Sequence, residues 1–202
     1  MKLVRVHYYL IGSYSQYCLI CCKIEGMEYK SMAVFCGSKT GNNPLFMQHA
    51  SILGELLAKN GIQLIYGGGR VGLMGAVSDA VMQHGGKVIG IIPKVLLKWE
   101  QQHLNITELK IVEDMHERKR LMYELCDAAI ILPGGNGTMD ELFELITWNT
   151  LKIHEKKIIL LNSAGYYDDL IAHLNRTKEE GFLHEDWQLR ITILTDPESI
   201  FS

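Results

Sequence analysis

The sequence predicts an α/β fold, and three observations lead to that prediction. From Ser31 onward, short β-rich apolar runs alternate with stretches of helical length. The runs are continuously apolar, which is typical of strands that helices cover on both faces of a parallel sheet. No internal repeat or linker divides the chain after Ser31. Right-handed crossovers then make the fold a doubly wound, Rossmann-like parallel sheet in a single domain.

Strands and helices are expected to alternate in a regular order along this part of the chain. The predicted strands are Met32–Cys36, Gln63–Tyr66, Lys87–Ile92, Leu109–Val112, Ala128–Leu132, Ile158–Leu161 and Ile191–Leu194. The predicted helices are Pro44–Lys59, Leu73–His84, Met115–Cys126, Met139–Lys152 and Tyr167–Glu179. Only the connection Lys94–Glu108 lacks a clean helical pattern.

Length and composition exclude several classes of protein. The 202 residues make about one domain, and 48% hydrophobic residues can form a sizeable core. The 20 basic and 23 acidic residues nearly balance, which argues against nucleic acid as a partner. No apolar run reaches the ~18–20 residues of a membrane span, so no membrane partner is expected. The 5 cysteines lack the spacing of a disulfide framework, and we therefore expect a cytoplasmic protein.

Residues 1–30 differ from the rest, and we expect them to form an extension outside the Rossmann-like domain of residues 31–202. They are rich in tyrosine and cysteine and show neither helical nor strand periodicity. Polar residues interrupt the apolar stretch that a signal peptide needs. Cys18 and Cys21 form a C-x-x-C without the second pair or nearby histidine of a metal site. We interpret Met1–Gly26 as an upstream extension that carries no chemistry.

Glycine-rich loops follow three of the predicted strands. In doubly wound sheets, ligands bind beyond the carboxyl ends of the strands, so these loops are where chemistry is expected. The loops are Cys36–Ser38, Gly67–Gly72 and Pro133–Thr138.

The second loop matches a dinucleotide fingerprint only in part. Gly67, Gly69 and Gly72 satisfy G-x-G-x-x-G, but no acidic residue ends the next strand to hold the ribose of a dinucleotide. We therefore do not expect NAD. The loop is either a tight turn before the helix or a backbone-lined wall of a phosphate or ribose site. In the second interpretation, Gly68 and Gly69 are candidate substrate contacts.

The third loop leads from a strand into a helix, and its glycines allow several backbone N–H groups to converge. The helix dipole favours an anion at such a place. Thr138 and Glu141 also match a capping box, S/T-x-x-E, with Thr138 as the N-cap. Two interpretations of Glu141 stay open: it caps the helix and does nothing more, or it belongs to an anion site.

The helix after Asp114 carries three consecutive cations near its start: Arg118, Lys119 and Arg120. Cations there oppose the helix dipole. Position 118 or 119 falls on the inward apolar stripe of this helix, and a buried cation needs an anionic partner. Either these side chains lie exposed at the rim, or Arg118 points into the cleft towards a ligand or Glu141.

Three motifs occur together in this chain. They are Y-G-G-G-x-x-G-L-M-G from Tyr66, M-H-x-R-K from Met115 and P-G-G-x-G-T-x-x-E from Pro133. In combination they resemble the LONELY GUY family of cytokinin riboside 5′-monophosphate phosphoribohydrolases, which older descriptions call possible lysine decarboxylases. The resemblance covers Ser31 to about Ser202. Nothing in the sequence suggests the pyridoxal-phosphate lysine of a decarboxylase.

The resemblance implies a role for each matching residue. Arg118 and Glu141 are implied to be the catalytic pair. Lys119 and the third loop are implied to hold the nucleotide, with Gly134 shaping the turn. The substrate-binding residues that it implies are Glu100, Lys119, Gly134, Gly135, Asn136, Gly137, Thr138 and Thr147.

The implied reaction is hydrolysis of the N-glycosidic bond of an N6-modified adenosine 5′-monophosphate, which yields the free base and ribose 5-phosphate. No metal or other cofactor is expected, because the 8 histidines form no ligand spacing such as H-x-x-x-H. The resemblance also implies a homodimer or larger homo-oligomer. The alternative is a binding protein of the same fold, such as a carrier of molybdenum cofactor. The presence of both Arg118 and Glu141 favours the enzyme.

Overall fold

The computed structural model describes residues 29–97 and 101–202. The predictions for Met1–Gly26, including the C-x-x-C of Cys18 and Cys21, lie outside the described residues, and so does Glu100.

The core begins slightly before the predicted domain boundary at residue 31. Tyr29 packs against the apolar core. The Lys30 N–H donates to Asp127 Oδ2 at 2.8 Å, and the N–H of Ser31 donates to the same oxygen at 3.0 Å. Asp127 immediately precedes a central strand, so its carboxylate ties the start of the first strand to that strand.

Seven strands occur in the described residues: β1 (Ser31–Phe35), β2 (Gln63–Tyr66), β3 (Val88–Pro93), β4 (Glu108–Val112), β5 (Ala128–Ile131), β6 (Lys157–Leu161) and β7 (Ile191–Leu194). They form one sheet in the order β4-β3-β2-β1-β5-β6-β7, and every pairing is parallel. The strand order runs outward from β1 in both directions. This confirms the predicted doubly wound, Rossmann-like α/β fold.

Five helices cover the sheet: α1 (Pro44–Lys59), α2 (Gly72–Gln83), α3 (Met115–Leu125), α4 (Asn136–Thr150) and α5 (Asp168–Glu179). Met32 and Val34 of β1 pack with α1 and α2 on one face, while Ala33 and Phe35 pack with α3, α4 and α5 on the other. Burial of both faces explains why the central strands are apolar without alternation. No helix among the described residues combines the length and the hydropathy of a membrane span.

Helix α3 begins as predicted, at Met115. Asp114 Oδ1 accepts the Glu117 N–H at 2.8 Å, and the Glu117 carboxylate accepts the Glu113 N–H at 2.8 Å. These two bonds fix the start of α3. They thereby also fix the direction in which Arg118 leaves the helix one turn later.

Helix α4 begins at Asn136, earlier than the predicted start at Met139. Gly135 is the N-cap, and its carbonyl accepts the first helical hydrogen bond from the Met139 N–H at 3.1 Å. The capping-box interpretation is therefore wrong, because Thr138 lies inside the helix and Glu141 lies too far along it to act as a cap. The physical reason is that glycine and asparagine are weak helix formers, so their sequence does not reveal the first turn.

We expect a protein that starts at Met27 to fold like the full chain. The sheet begins at Ser31, and Tyr29 already packs against the core, so this truncation keeps every contact described above. Thermal unfolding followed by circular dichroism should give the same melting temperature for both proteins. A truncated protein that is insoluble or melts at a lower temperature contradicts the interpretation of Met1–Gly26.

Candidate active site

A cavity of about 580 Å³ lies at the carboxyl ends of β1, β2 and β5. Its volume is within the usual range for small-molecule sites. The strand order reverses between β1 and β5, and open α/β sheets bind ligands at such a switch point. The Gly37 N–H, after β1, donates to Pro133 O, after β5, at 3.0 Å. The two loops are therefore joined where the cavity opens.

Residues 133–138, called the glycine loop below, supply backbone N–H groups to one wall of the cavity. The N–H groups of Asn136, Gly137 and Thr138 belong to the first turn of α4 and have no acceptor within the helix. The N-cap, Gly135, has no side chain that could accept from them. All of these residues line the cavity, where the dipole of α4 favours an anion.

Gly134 allows the glycine loop to pack directly on the start of α4. A Cβ atom at this position would lie 2.1 Å from the Thr138 Oγ1, and Thr138 is itself buried. Any side chain at position 134 would therefore push the loop away from the helix. This geometry agrees with the turn-shaping role expected for Gly134.

Arg118 enters the cavity from α3 and is only 5% exposed. Its Nε donates to Ile91 O at 3.1 Å, and its Nη2 donates to Gly67 O at 3.2 Å. These carbonyl oxygens, one within β3 and the other directly after the neighbouring strand β2, replace part of the hydration that the cation loses on burial. Arg118 thus lies in the cleft and not at an exposed rim.

Gly67 makes room for this guanidinium. A Cβ atom at Gly67 would come within 2.0 Å of the Arg118 Nη2. The predicted contacts Gly68 and Gly69 do not line the cavity: Gly68 packs against strand residues at φ +79°, and Gly69 forms an isolated bridge with Gln102. The glycine that lines the cavity is Gly67, directly after β2. It belongs to the G-x-G-x-x-G motif, but it was not among the predicted substrate contacts.

Glu141 lines the same cavity from α4 and is 8% exposed. Because it does not cap the helix, its burial needs another explanation. A carboxylate and a guanidinium that share one partly enclosed cavity interact more strongly than they would in bulk water. The structure thus brings together the two residues that the sequence suggested as a catalytic pair.

Lys119 does not line the cavity but pairs with carboxylates of α4. Its Nζ lies 3.0 Å from Asp140 Oδ2 and 3.1 Å from Glu144 Oε2, and its side chain is 11% exposed. Burial lowers the pKa of Lys119, but the bonds to Asp140 and Glu144 outweigh burial and raise it. The Tyr123 hydroxyl also donates to Glu144 Oε2, at 2.9 Å. A polar cluster thus joins α3 to α4 beside the cavity.

The other predicted contacts divide into two groups. Thr147 is exposed on α4, away from the cavity, and its Oγ1 donates to Phe143 O at 2.7 Å. Glu100 is not among the described residues. The loop residues line the cavity as expected: Gly134, Gly135, Asn136, Gly137 and Thr138.

Phe46 and Tyr166 form an aromatic wall that the sequence patterns did not reveal. Their ring centroids lie 5.5 Å apart at an interplanar angle of 78°, and both rings line the cavity. Leu96 and Met115 add further apolar surface. The signal that could have found them was their place in the segments that follow strand ends: Phe46 lies in the first turn of α1, the helix after β1, and Tyr166 lies in the turn after β6. The cavity therefore has a polar side and an apolar side.

The cavity also contains a buried thiol, that of Cys36 at the end of β1. Cys126, which is also buried, is a free cysteine. Within residues 29–97 and 101–202, no three His, Cys, Asp or Glu side chains are grouped so as to hold a metal ion.

Comparisons with known proteins bear on this site. The chain matches the family model described as possible lysine decarboxylase over residues 74–202. It is 50% identical over 159 residues to the probable cytokinin riboside 5′-monophosphate phosphoribohydrolase LOGL1 of Oryza sativa subsp. japonica. The aligned region covers 79% of this chain and 71% of that relative. It is 42% identical over 170 residues to the cytokinin riboside 5′-monophosphate phosphoribohydrolase of Rhodococcoides fascians, and the aligned region covers 84% of this chain and 86% of that relative.

A solved structure shares the fold. The molybdenum cofactor binding protein from Rippkaea orientalis superposes with a TM-score of 0.65 at 23% identity, over 87% of this chain and 94% of that chain. At this identity the likeness concerns the fold and does not extend to the ligand.

We expect Lys119→Met to lower the free energy of unfolding by about 1–2 kcal/mol, because it leaves the partly buried Glu144 without its cation. The matched control is Lys59→Met, which removes an exposed ion pair with Glu55 and should cause a much smaller loss. Urea denaturation measures both losses. Equal losses would show that the Lys119 cluster is not a buried ion pair.

Proposed function

The chain belongs to the family described as possible lysine decarboxylases, and its similar relatives in that family are cytokinin riboside 5′-monophosphate phosphoribohydrolases. From this membership and the geometry of the cavity, we propose how the site works. The protein is an enzyme that cleaves the glycosidic bond of a nucleotide by hydrolysis and releases the base. We propose that its substrate is adenosine 5′-monophosphate or an N6-modified form of it. The products are then adenine or a cytokinin, and ribose 5-phosphate.

One observation carries this proposal: a buried cation, a buried carboxylate and the start of α4 all line a single cavity. The N–H groups of the glycine loop suit the 5′-phosphate, because a helix start attracts anions. Arg118 and Glu141 then lie at the ribose. The apolar wall that includes Phe46 and Tyr166 is suited to a purine base.

The reaction breaks the C1′–N9 bond and forms a bond between C1′ and the oxygen of water. The bonding electron pair leaves with N9, and the base takes up a proton while the water loses one. Positive charge builds on the ribose in the transition state, as in glycoside hydrolysis. We assign Glu141 to this charge: its carboxylate stabilises the ribosyl cation and orients the attacking water.

We assign Arg118 to orientation. Its Nε and Nη2 are already bonded to carbonyl oxygens, so the guanidinium has a fixed position before substrate arrives. A donor fixed in advance costs no reorganisation during the reaction. From this position Arg118 holds the phosphate or the ribose and keeps the Glu141 carboxylate in place.

We also propose a homodimer in the cytoplasm. Support for the dimer comes from large apolar side chains that stay exposed at and just after α4, among them Phe143, Leu151 and Ile153. Exposed apolar surface of this kind marks interfaces between protein chains. Support for the compartment comes from Cys126, a buried free thiol, and from the 5 cysteines of the sequence, which lack the spacing of a disulfide framework.

The second candidate function is a nucleotide or molybdenum-cofactor carrier, in which the same anion site binds without turnover. The likeness to the Rippkaea orientalis protein supports only the shared fold. Incubation with adenosine 5′-monophosphate and its N6-isopentenyl derivative, followed by chromatography of the free base, separates enzyme from carrier.

We expect Glu141→Gln to lower kcat by about 10²–10³-fold, the usual scale for losing one electrostatic contact to a transition state. The melting temperature should fall by no more than a few degrees, because glutamine keeps the size of the side chain and Arg118 keeps its bonds to Ile91 O and Gly67 O. Glu124→Gln, on the exposed surface of α3, is the matched control and should leave both quantities unchanged. A parent-like kcat for Glu141→Gln would contradict the assigned role and favour the carrier.

A further inference from the structure

Two consecutive tyrosines in the turn after β6, Tyr166 and Tyr167, donate hydrogen bonds to backbone carbonyl groups near the start of the glycine loop. The Tyr167 hydroxyl donates to Leu132 O, and the Tyr166 hydroxyl donates to Gly134 O, each at 2.6 Å. Tyr167 is buried, whereas Tyr166 is 45% exposed and lines the cavity. The mechanism described above uses neither hydroxyl.

This turn has a well-defined shape. Asn162 Oδ1 accepts the Tyr167 N–H at 2.7 Å, and Asn162 Nδ2 donates to Asp168 Oδ1 at 2.7 Å. On the other side, His49 Nδ1 of α1 lies 2.8 Å from the Ser163 Oγ. Contacts from several directions therefore fix the backbone from which the two tyrosines project.

The ring of Tyr166 is held as well. Its centroid lies 5.5 Å from that of Phe46 and 4.8 Å from that of Tyr167, with edge-on angles of 78° and 81°. Edge-to-face contacts of this kind favour one ring orientation. The hydroxyl thus reaches Gly134 O from a fixed position even though the side chain is partly exposed.

Where β5 passes into the glycine loop, three successive carbonyl groups accept hydrogen bonds from other parts of the chain. Leu132 O accepts from Tyr167, Pro133 O from the Gly37 N–H, and Gly134 O from Tyr166. Their oxygens are therefore turned towards the protein. The backbone N–H groups of the loop residues that follow are therefore available to a ligand in the cavity.

Among these peptide units, the one between Gly134 and Gly135 depends most on a hydrogen bond to fix its orientation. It lies between two glycines, whose backbone angles are the least restricted of all residues. Rotation of this unit would exchange the Gly135 N–H for the Gly134 carbonyl oxygen. A carbonyl oxygen turned towards the cavity would repel a phosphate group.

We propose that Tyr166 is a positioning residue for the 5′-phosphate. Its hydroxyl holds the Gly134–Gly135 peptide in the orientation that presents an N–H to the anion. This inference rests on the proposed function, because it concerns the phosphate of the nucleotide substrate. Tyr166 acts through the glycine loop and takes no part in breaking the glycosidic bond.

The test is Tyr166→Phe, which removes the hydroxyl and keeps the ring. Calorimetric titration should show that Kd for adenosine 5′-monophosphate and for ribose 5-phosphate rises about 5- to 10-fold, as expected for one lost hydrogen bond. Kd for adenosine should not change, because adenosine has no phosphate. KM for the monophosphate should rise in parallel, while kcat stays within about threefold of the parent, since this contact is the same in ground and transition states.

The matched control is Tyr167→Phe, which deletes the same group one residue later. Its hydroxyl bonds Leu132 O, before the glycine loop begins. This variant leaves a buried carbonyl without its donor and should melt at a lower temperature. Kd for adenosine 5′-monophosphate should stay within about twofold of the parent, because the Gly134–Gly135 peptide keeps its bond.

The outcomes separate this inference from the proposed function. A parent-like Kd for adenosine 5′-monophosphate in Tyr166→Phe overturns the inference, and so does an equal loss of affinity for adenosine. If the parent binds the monophosphate without releasing base, the hydrolase mechanism fails, but the Kd comparison still decides the role of Tyr166. A parent that binds neither the monophosphate nor ribose 5-phosphate overturns both.

Discussion

The buried guanidinium of Arg118 is the constraint on which the rest of the site depends. A cation that is 5% exposed loses most of its hydration, and it requires oxygen atoms placed to replace the water. Ile91 O and Gly67 O meet this need: Gly67 directly follows β2, and Ile91 lies in the neighbouring strand β3 just past the last pairing with β2. The contact also requires that position 67 carry no side chain. The cap at Asp114 fixes the start of α3, so that Arg118 projects from its second turn towards these two oxygens.

The order of the strands explains why the parts of the site meet. Gly37, just after β1, donates to Pro133 O and accepts the Leu73 N–H at 3.0 Å through its own carbonyl. Gly37 thus joins the loop after β5 to the start of α2, the helix that follows β2. Gly72 allows this close approach: its φ is +62°, and a Cβ atom there would lie 2.3 Å from the Ser38 carbonyl carbon. The start of α4 is held against the same junction by the glycine loop.

Sequence patterns were sufficient for the fold, and for the site they were sufficient only in part. The bounds of β2, β7 and α1 match the prediction to the residue. Short apolar runs and the helical repeat of apolar residues are visible in a single sequence. The start of α4 was missed, since Asn136 and Gly137 do not look helical. Arg118 and Lys119 are adjacent in sequence but project about 100° apart on α3, so one enters the cavity and the other pairs with α4. No local pattern distinguishes them. The contact of Tyr166 with the glycine loop joins segments far apart in sequence, and tertiary structure alone reveals it.

The claim that Arg118 acts from a position fixed by Gly67 is tested most directly by a double-mutant cycle of Gly67→Ala and Arg118→Ala. Alanine fits the backbone at position 67, which is not left-handed, but its methyl group takes the place of the guanidinium. Gly67→Ala should lower kcat/KM for the nucleoside monophosphate by about 10²–10³-fold, close to the loss in Arg118→Ala. The double variant should be no slower than Arg118→Ala alone, because both changes remove the same group. Parent-like turnover in Gly67→Ala, or losses that multiply in the double variant, would contradict the account.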